Sequence, residues 1–180
     1  MTRARVMVLG LFAALLMSHG GGVALRPADR PEASPASAAV DAVAIAGHLA
    51  FLNPQLSEQQ QARIASAVLR SSARHGLDPD LVVAVIAAES GARPWVRSNK
   101  GAVGLMQVMP HMHREMSLAG GLATIETNVD AGCAILADNI RRLGEDRGIL
   151  AYFWGSHIRG AAYLERVEAA REVFRHQLSS

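Results

Sequence analysis

One carboxylate, Glu89, stands where its chemistry is hardest to account for as ordinary core or surface. It closes the segment Leu81–Glu89, in which Leu81, Val82, Val85, Ile86 and Glu89 share one helical face. A carboxylate on an apolar face is costly unless it has a partner or a task. Desolvation disfavours its charged form, and the C-terminal end of a helix opposes a negative charge there. Both effects raise its pKa, as a general acid working near neutral pH requires. Small residues follow it, leaving room for a reacting group to approach.

The sequence from Ser90 to Arg114 contains no acid. A glycosidase of the usual two-carboxylate kind needs its second carboxylate within about 5–10 Å. Glu115, Glu126 and Asp130 remain as residues that folding could bring near. If Glu89 works alone, it must serve first as acid and then as base, with the substrate supplying the nucleophile. The other chemistry-bearing pattern is weaker. His111 and His113 lie two apart, so on a helix they point in different directions, and no third ligand accompanies them. No metal or other cofactor is expected.

The elements that must position Glu89 are helical. Ser57 followed by Gln60 reads as a capping box opening a helix to about His75, with Gly76 at its C-terminal end. Asp78 and Pro79 open the next helix, which runs to Ser90 and stops at Gly91. Residues 41–52 form an apolar, helical segment stopped by Asn53-Pro54. Residues 91–100 read as a loop, and 102–109 as a short helix closed by Pro110. Residues 111–126 have no clear period and contain a Gly120-Gly121 turn. A helix from Thr127 or Asn128 places Val129, Cys133, Leu136, Ile140 and Leu143 on one face and ends at Gly144. A short aromatic helix spans 149–154. An amphipathic helix over 160–178 turns Tyr163, Val167 and Phe174 inward and Glu165, Arg166, Glu168 and Arg171 outward. No strand and no internal repeat emerges, so the fold class is all-α.

The chain has 180 residues, half of them hydrophobic, and a formal charge of +2. Without Arg3 and Arg5, its 18 basic residues fall level with its 16 acidic ones. A nucleic-acid footprint needs a basic cluster, and only Arg141-Arg142 comes near one, so nucleic acid is not an expected partner. Residues 1–24 have the parts of a secretory signal. Arg3 and Arg5 precede a twelve-residue apolar run, Val6 to Met17, and Gly22-Val23-Ala24 offers a cleavage site. The run is too short to span a bilayer, so no stable transmembrane anchor is expected. Residues 25–40 read as a Pro/Ala/Ser-rich linker, and 41–180 as the folded domain. Cys133 is the only cysteine, so no disulfide forms within the chain; it reads as a small buried apolar residue.

Several motifs resemble the soluble lytic transglycosylase family. They are Glu89-Ser90, then SNKGAVGLMQVMP from Ser98, NVDAG from Asn128, Ala151-Tyr152, and a terminal Tyr163-x-x-x-Val167. The likeness covers roughly Gln61 to Val173. It implies a lysozyme-like helical domain that acts in the periplasm on peptidoglycan glycan strands. There it would cleave the β-1,4 bond between N-acetylmuramic acid and N-acetylglucosamine without water, leaving a 1,6-anhydro end. It implies Glu89 as the acid and base, with Ser98, Gly104, Leu105, Met106 and Gln107 lining the sugar subsites. Tyr152 would place its hydroxyl near the carboxylate. Asn128 and Gly132 match a helix start with an equally good structural reading. Small enzymes of this kind accompany secretion, pilus or conjugation machinery, an expectation by analogy only. A hydrolytic muramidase on the same fold and a non-catalytic wall-binding scaffold stand as alternatives. The chain departs from the family after Tyr152, where Phe153-Trp154-Gly155 replaces an asparagine, a small residue and glycine. Trp154 could stack on a sugar ring or belong to the core.

Overall fold

The computed structural model describes residues 40–180; the expected leader and nearly all of the linker lie outside these residues. Seven helices follow one another: α1 (Ala42–Leu52), α2 (Glu58–His75), α3 (Pro79–Ser90), α4 (Pro110–Glu115), α5 (Ile125–Leu143), α6 (Glu145–Trp154) and α7 (Ala162–Leu178). The described residues hold no strand beyond isolated bridges, so they are all-α as expected.

Local chemistry accounts for most of the helix ends. Ser57 Oγ accepts the Gln60 N–H at 3.2 Å and Gln60 Oε1 accepts the Ser57 N–H at 2.8 Å, the reciprocal pair of a capping box. Gly76 ends α2 in the left-handed conformation, at φ +66°. Pro79 opens α3 at a position where its missing N–H is not needed. The start of α5 lies earlier than expected: Thr124 is the cap, its side chain accepting the Thr127 N–H. Helix α6 is also longer than the aromatic stretch alone, beginning at Glu145. Its early turn packs closely on α5, since a Cβ at Gly148 would lie 2.6 Å from the Ile140 Cα.

Helix α3 is the centre of the domain, packed mainly on α7 and also on α2. All six residues from Leu81 to Ile86 are buried, so Val83 and Ala84 join the face inferred from spacing. A helix apolar all round belongs inside. Burying each Val, Leu or Ile side chain contributes about 1.5–3 kcal/mol, which makes this segment a strong anchor of the described core. Helix α5 packs on α2 and α6 and completes the other side of the core.

Residues 102–109 are not a helix. Val103 pairs antiparallel with both Arg97 and Val108, and residues 104–107 form a turn between them. Positive φ at Gly101 (+89°), Gly104 (+78°) and Gln107 (+47°) is incompatible with a right-handed helix. Pro110 therefore opens α4 rather than closing a helix before it.

Candidate active site

Glu89 occupies the last turn of α3, and the chain behind it is bent sharply away. Gly91 and Ala92 both take left-handed φ values, +56° and +57°. For alanine that conformation costs about 1–2 kcal/mol. It persists because Ala92 is fully buried and its carbonyl accepts Asn53 Nδ2 at 3.1 Å. Ser90 supports the same bend: its hydroxyl donates to Ile86 O at 3.1 Å and accepts the Arg93 N–H at 3.3 Å. The bend leaves the Glu89 side chain at the edge of the core, half-buried.

Tyr163, from the first turn of α7, donates its hydroxyl to Glu89 Oε1 at 2.6 Å. The carboxyl's pKa is raised by burial, against the opposing effects of that hydrogen bond and of the Arg166 charge. Tyr163 is itself buried, and burial first, then the neighbouring Glu89 charge, pushes its own pKa far up, so it stays a neutral donor. No other carboxylate among the described residues enters this balance. Glu126 and Asp130 sit on α5 but are engaged by α2: Arg63 binds Glu126 at 2.9 Å, and Arg74 and His75 bind Asp130 at 2.9 and 3.1 Å. Glu115 is exposed at the end of α4.

The 103–108 turn is held from behind by α5. Asn128 is buried; its Oδ1 accepts the Met106 N–H at 3.0 Å and its Nδ2 donates to Val103 O at 2.8 Å. Two glycines permit the approach. A Cβ at Gly104 would lie 2.5 Å from Asn128 Nδ2, and one at Gly132 would lie 2.4 Å from Met106 Sδ. For Asn128 and Gly132 the structural reading therefore holds. Tyr152, from α6, adds a third tie by donating its hydroxyl to Met106 O at 2.7 Å. Burial and then the Glu89 charge push the Tyr152 phenol well above its ordinary range.

The expected site residues separate into two groups. Gln107 and Tyr152 are half-buried beside the turn, and Gln107 Nε2 donates to Gly104 O at 2.9 Å and Val96 O at 3.2 Å. That leaves its Oε1 as the side chain's free acceptor among the described contacts. Ser98 braces the loop, its hydroxyl accepting the Ala102 N–H at 3.0 Å. Leu105 and Met106 are fully buried, so their side chains face the core, and their part of the turn can offer a ligand only backbone.

Tyrosine 152 was the phenol expected beside the carboxylate, yet the hydroxyl bonded to Glu89 belongs to Tyr163. Sequence reasoning placed Tyr163 in the core without giving its hydroxyl a partner. A buried tyrosine needs one, and that requirement was the available signal. Arg166 is exposed, as expected, and lays its guanidinium over the Tyr163 ring, whereas Arg171, expected to face outward as well, is buried by its ion pairs to Asp80 and Glu145. Trp154 is half-buried and edge-on to Phe153, with its indole N–H buried and unpartnered among the described residues.

The family model described as Transglycosylase SLT domain matches residues 66–169. Over 88 residues the chain is 35% identical to a protein named Transglycosylase from Enterobacteria phage PRD1, covering 48% of this chain and 33% of the phage protein. It is also 35% identical over 95 residues to the endo-type membrane-bound lytic murein transglycosylase A of Klebsiella pneumoniae, covering 47% of each chain. The chain thus spans between a third and a half of these relatives' length. Its fold matches that of the 70 kDa soluble lytic transglycosylase of Escherichia coli at a TM-score of 0.50. That match has 23% identity and covers 74% of this chain and 28% of the other. The lysozyme-like expectation for the fold is met. The chain belongs to the transglycosylase SLT domain family.

Proposed function

We propose that the protein is a peptidoglycan lytic transglycosylase that uses Glu89 as its only catalytic carboxylate. The observation that carries this reading is the state of Glu89: half-buried, bonded to one neutral phenol, and raised in pKa by burial. Such a carboxyl holds its proton long enough to give it to the glycosidic oxygen between muramic acid and glucosamine. Once ionised, it is stabilised by the Tyr163 hydroxyl and the Arg166 charge. It then takes the proton from the muramyl C6 hydroxyl as that oxygen attacks C1, closing the 1,6-anhydro ring. A second carboxylate is not needed, because the nucleophile belongs to the substrate. This agrees with Glu126 and Asp130 being engaged by α2.

The 103–108 turn contributes Gln107, whose carboxamide oxygen can accept from sugar hydroxyls or acetamides. Its position at φ +47° is held by the ties from Asn128 and Tyr152 to the same turn. Residues 1–24, with the composition of an export signal, support a periplasmic site of action. A wall-cutting domain behind such a signal suits an enzyme that opens local gaps for an envelope-spanning secretion, pilus or conjugation assembly.

Digestion of purified peptidoglycan followed by mass spectrometry tests the reaction. The expected muropeptides carry anhydro ends, one water lighter than hydrolytic products, and Glu89→Gln releases none. Reducing muramic acid ends would assign a hydrolytic muramidase instead. Binding without release, unchanged by Glu89→Gln, would make the protein a non-catalytic wall-binding scaffold.

A further inference from the structure

Phe153 occupies the position where the family's tyrosine motif continues with asparagine, and the ring is not a loose surface group. It is 47% exposed, yet it stacks on Tyr163 with centroids 4.7 Å apart and planes 14° from parallel. Trp154 lies nearly perpendicular to it, with centroids 5.0 Å apart and planes at 87°. Arg166 lies three residues beyond Tyr163 on α7, so the two side chains share a face. Its guanidinium carbon sits 5.2 Å from the Tyr163 centroid and 5.7 Å from that of Phe153. Both distances are within the range of cation–π attraction.

The tyrosine so gripped is the one that reaches Glu89. Its hydroxyl lies at the far end of the ring, where a small tilt about the Cα–Cβ bond becomes a large displacement. A bond of 2.6 Å tolerates little of that. A neighbour packed flat on the ring face resists that swing. Stacking supplies that constraint, which an asparagine with no ring face cannot offer.

We propose that Phe153 is a positioning residue that acts through Tyr163, its stacked ring and the Arg166 guanidinium holding the tyrosine hydroxyl on Glu89. The proposal rests on reading Glu89 as the acid and base. It explains how the chain can lose the family's amide at this position and keep its carboxylate in order. It also sets Phe153 apart from a platform for substrate, which would present a ring to sugar and touch Tyr163 only incidentally.

The test uses the full chain and soluble uncrosslinked glycan strands. Phe153→Leu keeps bulk but removes the ring face, and should lower kcat about tenfold, the worth of one hydrogen bond. KM should stay within about twofold, because no ground-state contact with substrate is lost. Phe153→Tyr should restore the rate. Tyr163→Phe should cost about as much as Phe153→Leu, and the double variant should lose no more than either alone, since both act through one bond. In the substrate-free protein, the carbon-13 signal of the Glu89 carboxyl should titrate at higher pH in Phe153→Leu, because a bond to the charged form has weakened. A raised KM with unchanged kcat, full additivity with Tyr163→Phe, or an unmoved Glu89 titration overturns the proposal. If Glu89→Gln is as active as wild type, the catalytic reading falls, and the carboxyl titration still decides whether Phe153 acts on Glu89.

Discussion

Replacing Glu89 by glutamine should make the protein more stable at neutral pH, and the gain should vanish in acid. The substitution removes a charge while keeping an oxygen that can accept the Tyr163 hydroxyl at nearly the same place. Three contributions set the magnitude. A negative charge in the last turn of α3 opposes the helix dipole by about 0.3–1 kcal/mol. Desolvating the carboxylate without full compensation costs about 1–3 kcal/mol. Against these, the charge-assisted bond from Tyr163 becomes an ordinary one and the attraction of the exposed Arg166 is lost, together about 1 kcal/mol. The net expectation is a gain of about 0.3–3 kcal/mol, or about 1–10 °C in Tm for a domain of this size.

The pH dependence follows from the direction of the Glu89 shift. Its folded pKa lies above the unfolded value of 4.5, so the native state binds the proton more tightly. The Glu89 contribution to wild-type stability therefore falls as pH rises from the unfolded value through the folded one, and stays lower beyond it. Glutamine has no such slope. Urea and thermal unfolding of both proteins between pH 3.5 and pH 8 should give curves that coincide at the acid end and separate toward neutrality. The slopes from other carboxylates are common to both proteins and cancel. If the glutamine variant is less stable at pH 7.5, or the difference does not change with pH, then Tyr163 and Arg166 outweigh burial and the reasoning is wrong.

Asn128→Ala should cost about 1–3 kcal/mol by urea unfolding, because it strands the buried Met106 N–H, while the Val103 carbonyl keeps the Val108 N–H as a partner. Asn128→Asp should recover only part of that loss, since a carboxylate can accept from Met106 but cannot donate to Val103. Arg171→Met should cost about 3 kcal/mol, near the low end for a broken buried ion pair, because Arg175 still contacts Asp80. Burial pushes the Asp80 carboxyl up, but Arg171 and Arg175 outweigh it and hold the pKa below its ordinary value. Its contribution is thus present above the unfolded value of 3.8 and lost as pH falls through the folded one, so the Arg171→Met deficit should shrink in acid.

The parts of this fold legible in the sequence are those decided within a few residues. Ser57 and Gln60 cap α2 by bonds three residues long, and Pro79 and Gly91 bound α3 through backbone preferences of their own. The turn at 103–108 was not legible. Ala102 to Met109 has the apolar composition of a short helix, and what overrides it comes from Asn128 and Tyr152, 22 and 46 residues away from Met106. The position of Glu89 at the end of an apolar helix could be read directly. Its bonded phenol lies 74 residues further along the chain, where only the unmet need of a buried tyrosine hydroxyl hinted at it.

That long-range bond depends on the register of two helices, and the register is pinned at its other end by charge. Tyr163 and Glu89 join the start of α7 to the end of α3, while Arg171 and Arg175 join the later part of α7 to Asp80 at the start of α3. The helices therefore run antiparallel. From Glu89 back to Asp80 is about 13.5 Å of helix, and from Tyr163 on to Arg171 about 12 Å, at 1.5 Å per residue. The two spans match closely enough for both contacts to form at once. A slip of one residue would move Tyr163 by about 1.5 Å along the axis and break its bond to Glu89. Arg171 also reaches Asp78 and Glu145, so the same guanidinium ties α7 to the cap of α3 and the start of α6. Helix α6 carries Tyr152 and Phe153, which hold the turn and the Tyr163 ring. Charge at the far end of α3 thus sets the geometry around the carboxylate, and Arg171→Met should slow catalysis even under conditions where the variant remains fully folded.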